Sequence, residues 1–149
     1  QMCIRDRFNR VNITKDYFYI ICNAFDKNNV EVDEIIYQKN DYLYYHEFIG
    51  QKLNKKIIAC SGTHGKTTTS FLLVDFLKKE CNYIIGDGEG GSFDTDLLVL
   101  EACEYKEHFL SYHPELLIIT NIELDHTDFY KSEKQLFQSF QKLVYWHNP

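Results

Sequence analysis

The chain has 149 residues, of which 44% are hydrophobic and 26% charged, a balance typical of a folded globular protein rather than a disordered or fibrous one. Its formal net charge of -6, from 22 acidic and 16 basic residues, provides no broad positive surface for a nucleic-acid backbone. No apolar run approaches the roughly 20 residues that span a bilayer, and the N-terminus lacks the apolar core of a secretory signal. We therefore expect no nucleic-acid partner and no membrane partner, and we predict a cytoplasmic protein.

The five cysteines are widely spaced and include no Cys-x-x-Cys pair, which argues against disulfides and against a structural zinc site. Cys22, Cys60 and Cys103 lie in or beside apolar, strand-like runs, where a free thiol usually behaves as a small buried hydrophobe. These cysteines are therefore predicted to be reduced core residues.

The first third of the chain has mixed patterns. Residues 1–7 carry charges without an apolar period and contribute nothing to the fold prediction. The continuous apolar run at 17–22 predicts a buried strand, and residues 32–37 predict a short helix. The aromatic-rich segment 42–53 has apolar residues at helical spacing, and it is predicted to connect two domains.

From residue 55 onward, strand and helix patterns alternate, which predicts an α/β fold with a mostly parallel sheet and helices on both faces. Helices are predicted at 67–79 and 133–146, where apolar residues recur at helical spacing. The glycine-rich run 86–91 is predicted to be a loop. Strands are predicted at 56–60, 83–85, 97–100 and 116–120. The last two are fully apolar, which favours central positions in the sheet.

The strongest functional signal is the run Ser-Gly-Thr-His-Gly-Lys-Thr-Thr-Thr at residues 61–69, between a predicted strand and a predicted helix. Small residues let backbone N–H groups converge on phosphate oxygens, and the helix N-terminus adds a partial positive charge. Lys66 would bridge the β- and γ-phosphates, and the Thr67 hydroxyl would complete the coordination of a magnesium ion. Thr68 can donate to an outer phosphate. A glycine-rich turn that merely starts a helix would not explain this placement.

The loop departs from the common phosphate-binding pattern at one position. The eight-residue pattern begins with glycine, and this chain has Cys60 there. This difference disfavours a standard GTPase or kinase loop.

Two further segments place polar residues at the carboxyl ends of predicted strands, the edge at which such sheets bind ligands. Glu101 ends an apolar strand and is the candidate for an acidic group near the metal. His126 ends the run Thr-Asn-Ile-Glu-Leu-Asp-His at 120–126, and its neutral imidazole can ligate a divalent metal. Asp125 or Glu123 could orient that imidazole.

Two acidic residues that follow Glu101 have no such position. Glu104 and Glu107 could equally be solvated surface charges, and the sequence assigns them no role.

In combination, these motifs resemble the Mur ligases, which use ATP to join an amino acid to a peptidoglycan precursor. The loop at 62–68 is similar to the family's Gly-Thr-x-Gly-Lys-Thr-Thr loop, and its histidine resembles the branch that adds L-alanine to UDP-N-acetylmuramate. The segments 85–88, 101–110 and 120–126 are similar to that branch in order and spacing.

The resemblance implies an ATP-dependent, amide-bond-forming ligase, and this fragment is expected to be inactive alone. Thr67 and Glu101 would hold one Mg2+ ion and His126 a second, and Lys66, Glu101 and His126 would be catalytic. The carboxylate of UDP-N-acetylmuramate would attack the γ-phosphate, and the amine of L-alanine would displace the resulting acyl phosphate. ATP would be bound by Gly62, Thr63, His64, Gly65, Lys66, Thr67 and Thr68.

The resemblance also implies a domain organisation. Residues 8–54 would be the C-terminal part of an N-terminal, Rossmann-like domain for the UDP substrate. Residues 55–149 would be the N-terminal part of the central ATP-binding domain with its P-loop, and the family's C-terminal domain would be absent. Several family members have a carbamylated lysine after the Asp-His motif, but the register of Lys142 does not fit that position and it is not assigned.

Three alternatives stay open. A sibling ligase attaches a whole tripeptide to the same sugar nucleotide during cell-wall recycling. Folate polyglutamylating ligases have a similar loop, but usually without His64 and the Glu-Ala-Cys-Glu-Tyr segment at 101–105. The chain could also be a nucleotide-binding module without catalysis.

Overall fold

A computed structural model describes residues 8–78, 80–86 and 88–145. The chain divides into two compact units, the first ending at Ile49 and the second beginning at Gly50, shortly before the predicted domain boundary at 54/55. The predictions for Cys3 and the rest of 1–7, for Lys79, Asp87 and 146–149, lie outside the described residues. Among the described helices, none is long and apolar enough to cross a membrane.

The first unit contains two parallel strands and a helix between them in sequence. Strand β1 spans Tyr19–Ile21, helix α1 Val30–Tyr37 and strand β2 Tyr42–Tyr44. Asn29 begins α1 as its N-cap, accepting hydrogen bonds from the second and third backbone N–H groups that follow it. The predicted helix at 32–37 is thus confirmed. The buried side chains of this unit's core belong to Ile13, Ile21, Val32 and Ile35.

The predicted buried strand at 17–22 is wrong in its length and its burial. Only Tyr19–Ile21 is strand, and Tyr17, Phe18 and Ile20 are exposed. In the described part, β1 belongs to a two-stranded sheet, so alternate side chains face solvent instead of a second layer. The segment predicted as helical at 42–53 begins with β2, and helix α2 follows at Tyr45–Lys52.

The second unit contains a five-stranded sheet in the order β5-β4-β6-β3-β7. The pairs β3–β6, β3–β7 and β4–β6 are parallel, and β4–β5 is antiparallel. Helix α3 packs against β3 and β6. The predicted α/β class with a mostly parallel sheet is therefore confirmed. The elements are β3 at Lys56–Ser61, α3 at Lys66–Phe76, β4 at Asn82–Ile84, β5 at Gly90–Gly91, β6 at Leu97–Glu101, β7 at Leu116–Ile119 and α4 at Glu133–Tyr145.

Two details of this sheet differ from the predictions. β7 lies at the edge of the described sheet instead of its centre, and Leu116 is exposed. Within the predicted loop 86–91, Gly90 and Gly91 form the short strand β5. A Cβ at Gly91 would lie 2.3 Å from the Tyr83 ring, so the glycine allows this close pairing.

The cysteine prediction is correct for only some positions. All four described cysteines are free; Cys60 and Cys81 are buried, Cys103 is half-buried and Cys22 is exposed. Cys22 lies directly after β1, outside the strand. Burial raises the thiol pKa of Cys60, Cys81 and Cys103.

Candidate functional site

The loop between β3 and α3 contains two glycines with positive φ, 130° at Gly62 and 79° at Gly65. A Cβ at Gly62 would lie 2.2 Å from Oγ1 of Thr120 and 2.9 Å from the backbone oxygen of Asn121. The loop therefore packs directly against the chain that follows β7, at the carboxyl ends of two neighbouring parallel strands.

Hydrogen bonds fix the loop to this neighbouring segment. The Thr63 hydroxyl donates to the backbone oxygen of Glu123 at 2.8 Å and accepts from its N–H at 2.9 Å. Oδ1 of Asn121 accepts from the backbone N–H of His64 at 2.9 Å. The Thr120 hydroxyl donates to the backbone oxygen of His64 at 2.5 Å. The structure thus brings two of the three sequence motifs into direct contact.

Helix α3 begins at Lys66, and its N-cap residue is Gly65, which provides no side-chain cap. The first N–H groups of an uncapped helix can bind an anion, and the helix dipole favours negative charge there. Thr67 and Thr68 are the next two residues of the helix, half-buried and exposed respectively. The predicted phosphate-binding elements therefore lie at a helix N-terminus.

The Lys66 ammonium is turned back into the loop. Its Nζ donates to the backbone oxygens of Gly62 at 2.6 Å and Thr63 at 3.1 Å, and to Oε1 of Glu104 at 3.2 Å. The lysine side chain is only 13% exposed. In this conformation the charge expected to meet a phosphate is neutralised within the protein.

Glu104 is the central acidic residue of the site, and the sequence assigned it no role. The side chain is 1% exposed, and Oε1 lies 3.4 Å from Nε2 of His126. Oε2 lies 3.0 Å from Nζ of Lys66, but the angles do not meet those of a hydrogen bond, and this oxygen has no hydrogen-bond partner among the described residues. One buried carboxylate therefore joins the loop lysine to the histidine after β7.

The backbone of Glu104 is held by a buried tyrosine. The Tyr130 hydroxyl donates to the Glu104 backbone oxygen at 2.5 Å. Burial raises the pKa of Tyr130 to about 12, so the hydroxyl stays protonated and continues to donate at neutral pH.

Glu101, the predicted metal carboxylate, has a different neighbour. Its Oε2 accepts from the backbone N–H of Gly86 at 3.0 Å. A Cβ at Gly86 would lie 2.8 Å from Oε1 of Glu101, so the glycine allows the carboxylate to approach the backbone. The structure therefore joins Lys66 and His126 through Glu104, while Glu101 contacts the segment after β4.

His126 has a left-handed backbone with φ of 50°, and its ring packs on Tyr105 at 4.7 Å between centroids. The Tyr105 hydroxyl donates to Oδ2 of Asp128 at 2.5 Å, and this bond raises the pKa of Tyr105 and lowers that of Asp128. Asp125 accepts from the backbone N–H of His126 instead of from its ring, and Glu123 faces His64 at 4.0 Å. The left-handed backbone of His126 is a strained conformation of the kind that clusters at functional sites in proteins.

Within the ranges that the structure describes, no group of three or more His, Cys, Asp or Glu side chains is arranged to hold a metal ion. Magnesium does not require such a cage, because it takes one or two carboxylates together with water and substrate phosphates. The oxygen donors present, including the buried Oε2 of Glu104, fit this hard cation. Thr67 and Glu101 provide oxygen donors of this kind, and they stay predicted ligands together with the imidazole nitrogen of His126.

The fold is similar to that of solved bacterial ligases. A UDP-N-acetylmuramate-alanine ligase from Thermotoga maritima matches 94% of this chain with a TM-score of 0.76 and 23% identity. A UDP-N-acetylmuramate:L-alanyl-gamma-D-glutamyl-meso-diaminopimelate ligase from Neisseria meningitides matches 86% with a TM-score of 0.72 and 20% identity. A murein peptide ligase from Psychrobacter arcticus matches 85% with a TM-score of 0.63 and 19% identity.

This chain spans only part of those proteins, 36%, 48% and 33% of their respective lengths. No protein-family model matches it. At these identities the likeness establishes a shared fold.

Proposed function

We propose that the chain belongs to the Mur ligases and carries part of their ATP-binding machinery, with L-alanine and UDP-N-acetylmuramate as the substrates to be joined. The observation that carries the proposal is the loop before α3, where an uncapped helix N-terminus and Lys66 adjoin two polar segments at the same sheet edge. The fold shared with solved UDP-N-acetylmuramate ligases supports it.

The loop residues would bind the ATP phosphates. The first backbone N–H groups of α3 have no side-chain cap from Gly65, so they would be available to phosphate oxygens. Lys66 would exchange the backbone oxygens of Gly62 and Thr63 for phosphate oxygens. Thr63 and His64 would keep the loop in place through their bonds to the chain after β7.

A bound magnesium ion would neutralise phosphate charge. We propose that Thr67 and Glu101 hold one ion and that His126 binds a second. Tyr105 would fix the imidazole plane of His126 by packing on it. These three ligands come from different elements of the second unit, α3, β6 and the segment after β7.

The proposed chemistry requires no nucleophilic side chain. The carboxylate of UDP-N-acetylmuramate would attack the γ-phosphate, and the amine of L-alanine would displace the phosphate from the acyl phosphate. The chain's residues would align the phosphates and stabilise the charge that develops on them. In this proposal, residues 8–54 are the end of a UDP-substrate domain and residues 55–149 the start of the ATP-binding domain.

A second candidate is the ligation of a tripeptide to the same sugar nucleotide. Two of the three solved structures described above are peptide ligases, and this observation favours it. The alanine ligase matches more of the chain with a higher TM-score, which is why we place L-alanine first.

ADP formation tests the proposal. We expect the protein that contains this chain to release ADP from ATP and Mg2+ in repeated turnovers only when UDP-N-acetylmuramate and L-alanine are both present, and Lys66→Ala to release none. Turnover with L-alanyl-γ-D-glutamyl-meso-diaminopimelate in place of L-alanine would favour the second candidate. Nucleotide binding without any substrate-dependent ADP would contradict both and identify a non-catalytic binding module.

A further inference from the structure

We propose that Glu104 is a positioning residue that makes nucleotide binding at the loop depend on magnesium, by holding the Lys66 ammonium away from the phosphates until a cation accompanies them. The proposal rests on the nucleotide site proposed above. It assigns a role to a residue that neither the phosphate-loop motif nor the strand-end pattern includes.

The burial of Glu104 is the first step of the argument. A carboxylate that is 1% exposed is costly unless a positive charge or hydrogen bonds compensate for the lost water. Lys66 provides that charge at 3.0 and 3.2 Å from the two carboxylate oxygens. Nε2 of His126 lies 3.4 Å from Oε1 of the same carboxylate.

The second step is that the carboxylate occupies a fixed position. Two donors hold the Glu104 backbone oxygen, the Tyr130 hydroxyl at 2.5 Å and the backbone N–H of Glu107 at 3.0 Å. Tyr130 is itself fully buried. Glu104 therefore cannot follow Lys66 by a shift of its backbone without breaking a buried hydrogen bond.

The third step concerns the charge that a nucleotide would bring. When Lys66 turns to a phosphate, it gives up two loop carbonyls and leaves Glu104 buried without its closest cation. A metal-free nucleotide would add negative charge close to that carboxylate. Like charges that lie close together in a poorly solvated site repel each other. A magnesium ion offsets both negative groups, so its nucleotide complex avoids this cost.

The neighbouring acidic residues do not share this position. Glu101 accepts from Gly86, and Glu107 is paired with Lys142 at 2.6 Å on a more exposed surface. Glu107 therefore provides a matched control, since it is the same residue type on the same segment, paired with a lysine outside the loop.

Calorimetric titration of the chain with ATP, in Mg2+ and in EDTA, tests the proposal. We expect the wild type to bind ATP at least tenfold more weakly in EDTA. Glu104→Gln should tighten the metal-free binding by roughly tenfold, about 1.4 kcal/mol, so that the ratio of the two Kd values approaches one. Glu107→Gln should keep the wild-type ratio, and Glu104→Asp, which retains the charge, should keep most of it.

Several outcomes would overturn the inference. A wild type that binds ATP equally with and without metal excludes it, even where Glu104→Gln does not fold. An unchanged or weaker metal-free affinity in a folded Glu104→Gln, checked by its thermal melt, also excludes it. If the folded wild type binds ATP in neither condition, the proposed nucleotide site itself fails. If it binds ATP and only the metal dependence is absent, the inference alone fails.

Discussion

Two lysine–glutamate pairs in the second unit use the same chemistry in different environments. In the pair Lys66–Glu104 the side chains are 13% and 1% exposed, and in Lys142–Glu107 they are 58% and 28% exposed. The exposed pair has the shorter nitrogen–oxygen distance, 2.6 Å against 3.0 Å. Distance alone therefore does not rank their importance.

Burial makes the difference between the two pairs. An exposed pair contributes about 0–1 kcal/mol, because water and salt screen it and both side chains lose freedom. Breaking a buried pair costs more, about 3–5 kcal/mol, because one charge is left without water or partner. The buried pair need not stabilise the fold more than apolar residues would. In the inference above, its role is instead to hold Lys66 away from a metal-free nucleotide.

The largest expected effect is on stability in Lys66→Ala. Removal of the ammonium leaves Glu104 buried and unpaired, so we expect the free energy of unfolding to fall by about 3–5 kcal/mol. Urea titration measures this change. Combining Lys66→Ala with Glu104→Gln should recover part of the loss. An equal loss in Lys142→Ala would contradict the distinction between the pairs.

The second largest effect on stability is expected at Gly62, whose backbone oxygen accepts a hydrogen bond from Lys66. In Gly62→Ala the new methyl group would meet Thr120 at 2.2 Å in addition to the strain of a φ of 130°, and we expect a loss of about 2–3 kcal/mol in unfolding free energy. Gly88→Ala is the control, since its φ is 90° and no atom of the described residues beyond its chain neighbours lies within 4 Å of the added Cβ. Equal losses in the two variants would mean that close packing at Gly62 contributes nothing.

The smallest effect is expected at the exposed pair. Burial alone would raise the pKa of Glu107, but hydrogen bonds from Lys142 and Ser139 outweigh it and leave the pKa below its ordinary value of 4.5. The pair's contribution is therefore fully present above about pH 5.5 and is lost as the pH falls through the lowered pKa, below 4.5.

Comparison of the wild type with Glu107→Gln across this range measures that contribution. The stability difference should be under about 1 kcal/mol at pH 7 and should vanish in acid. A difference that grows below pH 4.5 would contradict the assignment.

The sequence predicted the loop because its signals are local. Glycines, a lysine and threonines between an apolar strand and an apolar-periodic helix define a backbone shape and its charge, and the structure has this arrangement at 61–69. The parallel strands of the second unit were predictable for the same reason, as continuous apolar runs.

The role of Glu104 could not be predicted locally. The direction of the Glu104 side chain depends on the turn after β6, where Lys106 and Glu107 have left-handed φ values of 52° and 60°. It also depends on Tyr130, far along the chain. The small, apolar residues Ala102 and Cys103 before Glu104 are a local sign that favours burial of this carboxylate. The exposure of β1 and the edge position of β7 depend likewise on which strands pair, which apolar content does not specify.

ATP titration by calorimetry in the presence of Mg2+, comparing the wild type with Lys66→Ala and Lys142→Ala, tests the central claim most directly. If the loop before α3 binds nucleotide phosphates through Lys66, affinity should fall by at least about 100-fold, or 2.8 kcal/mol, in Lys66→Ala and should be unchanged in Lys142→Ala. Wild-type affinity in a folded Lys66→Ala, or an equal loss in both variants, would contradict the claim.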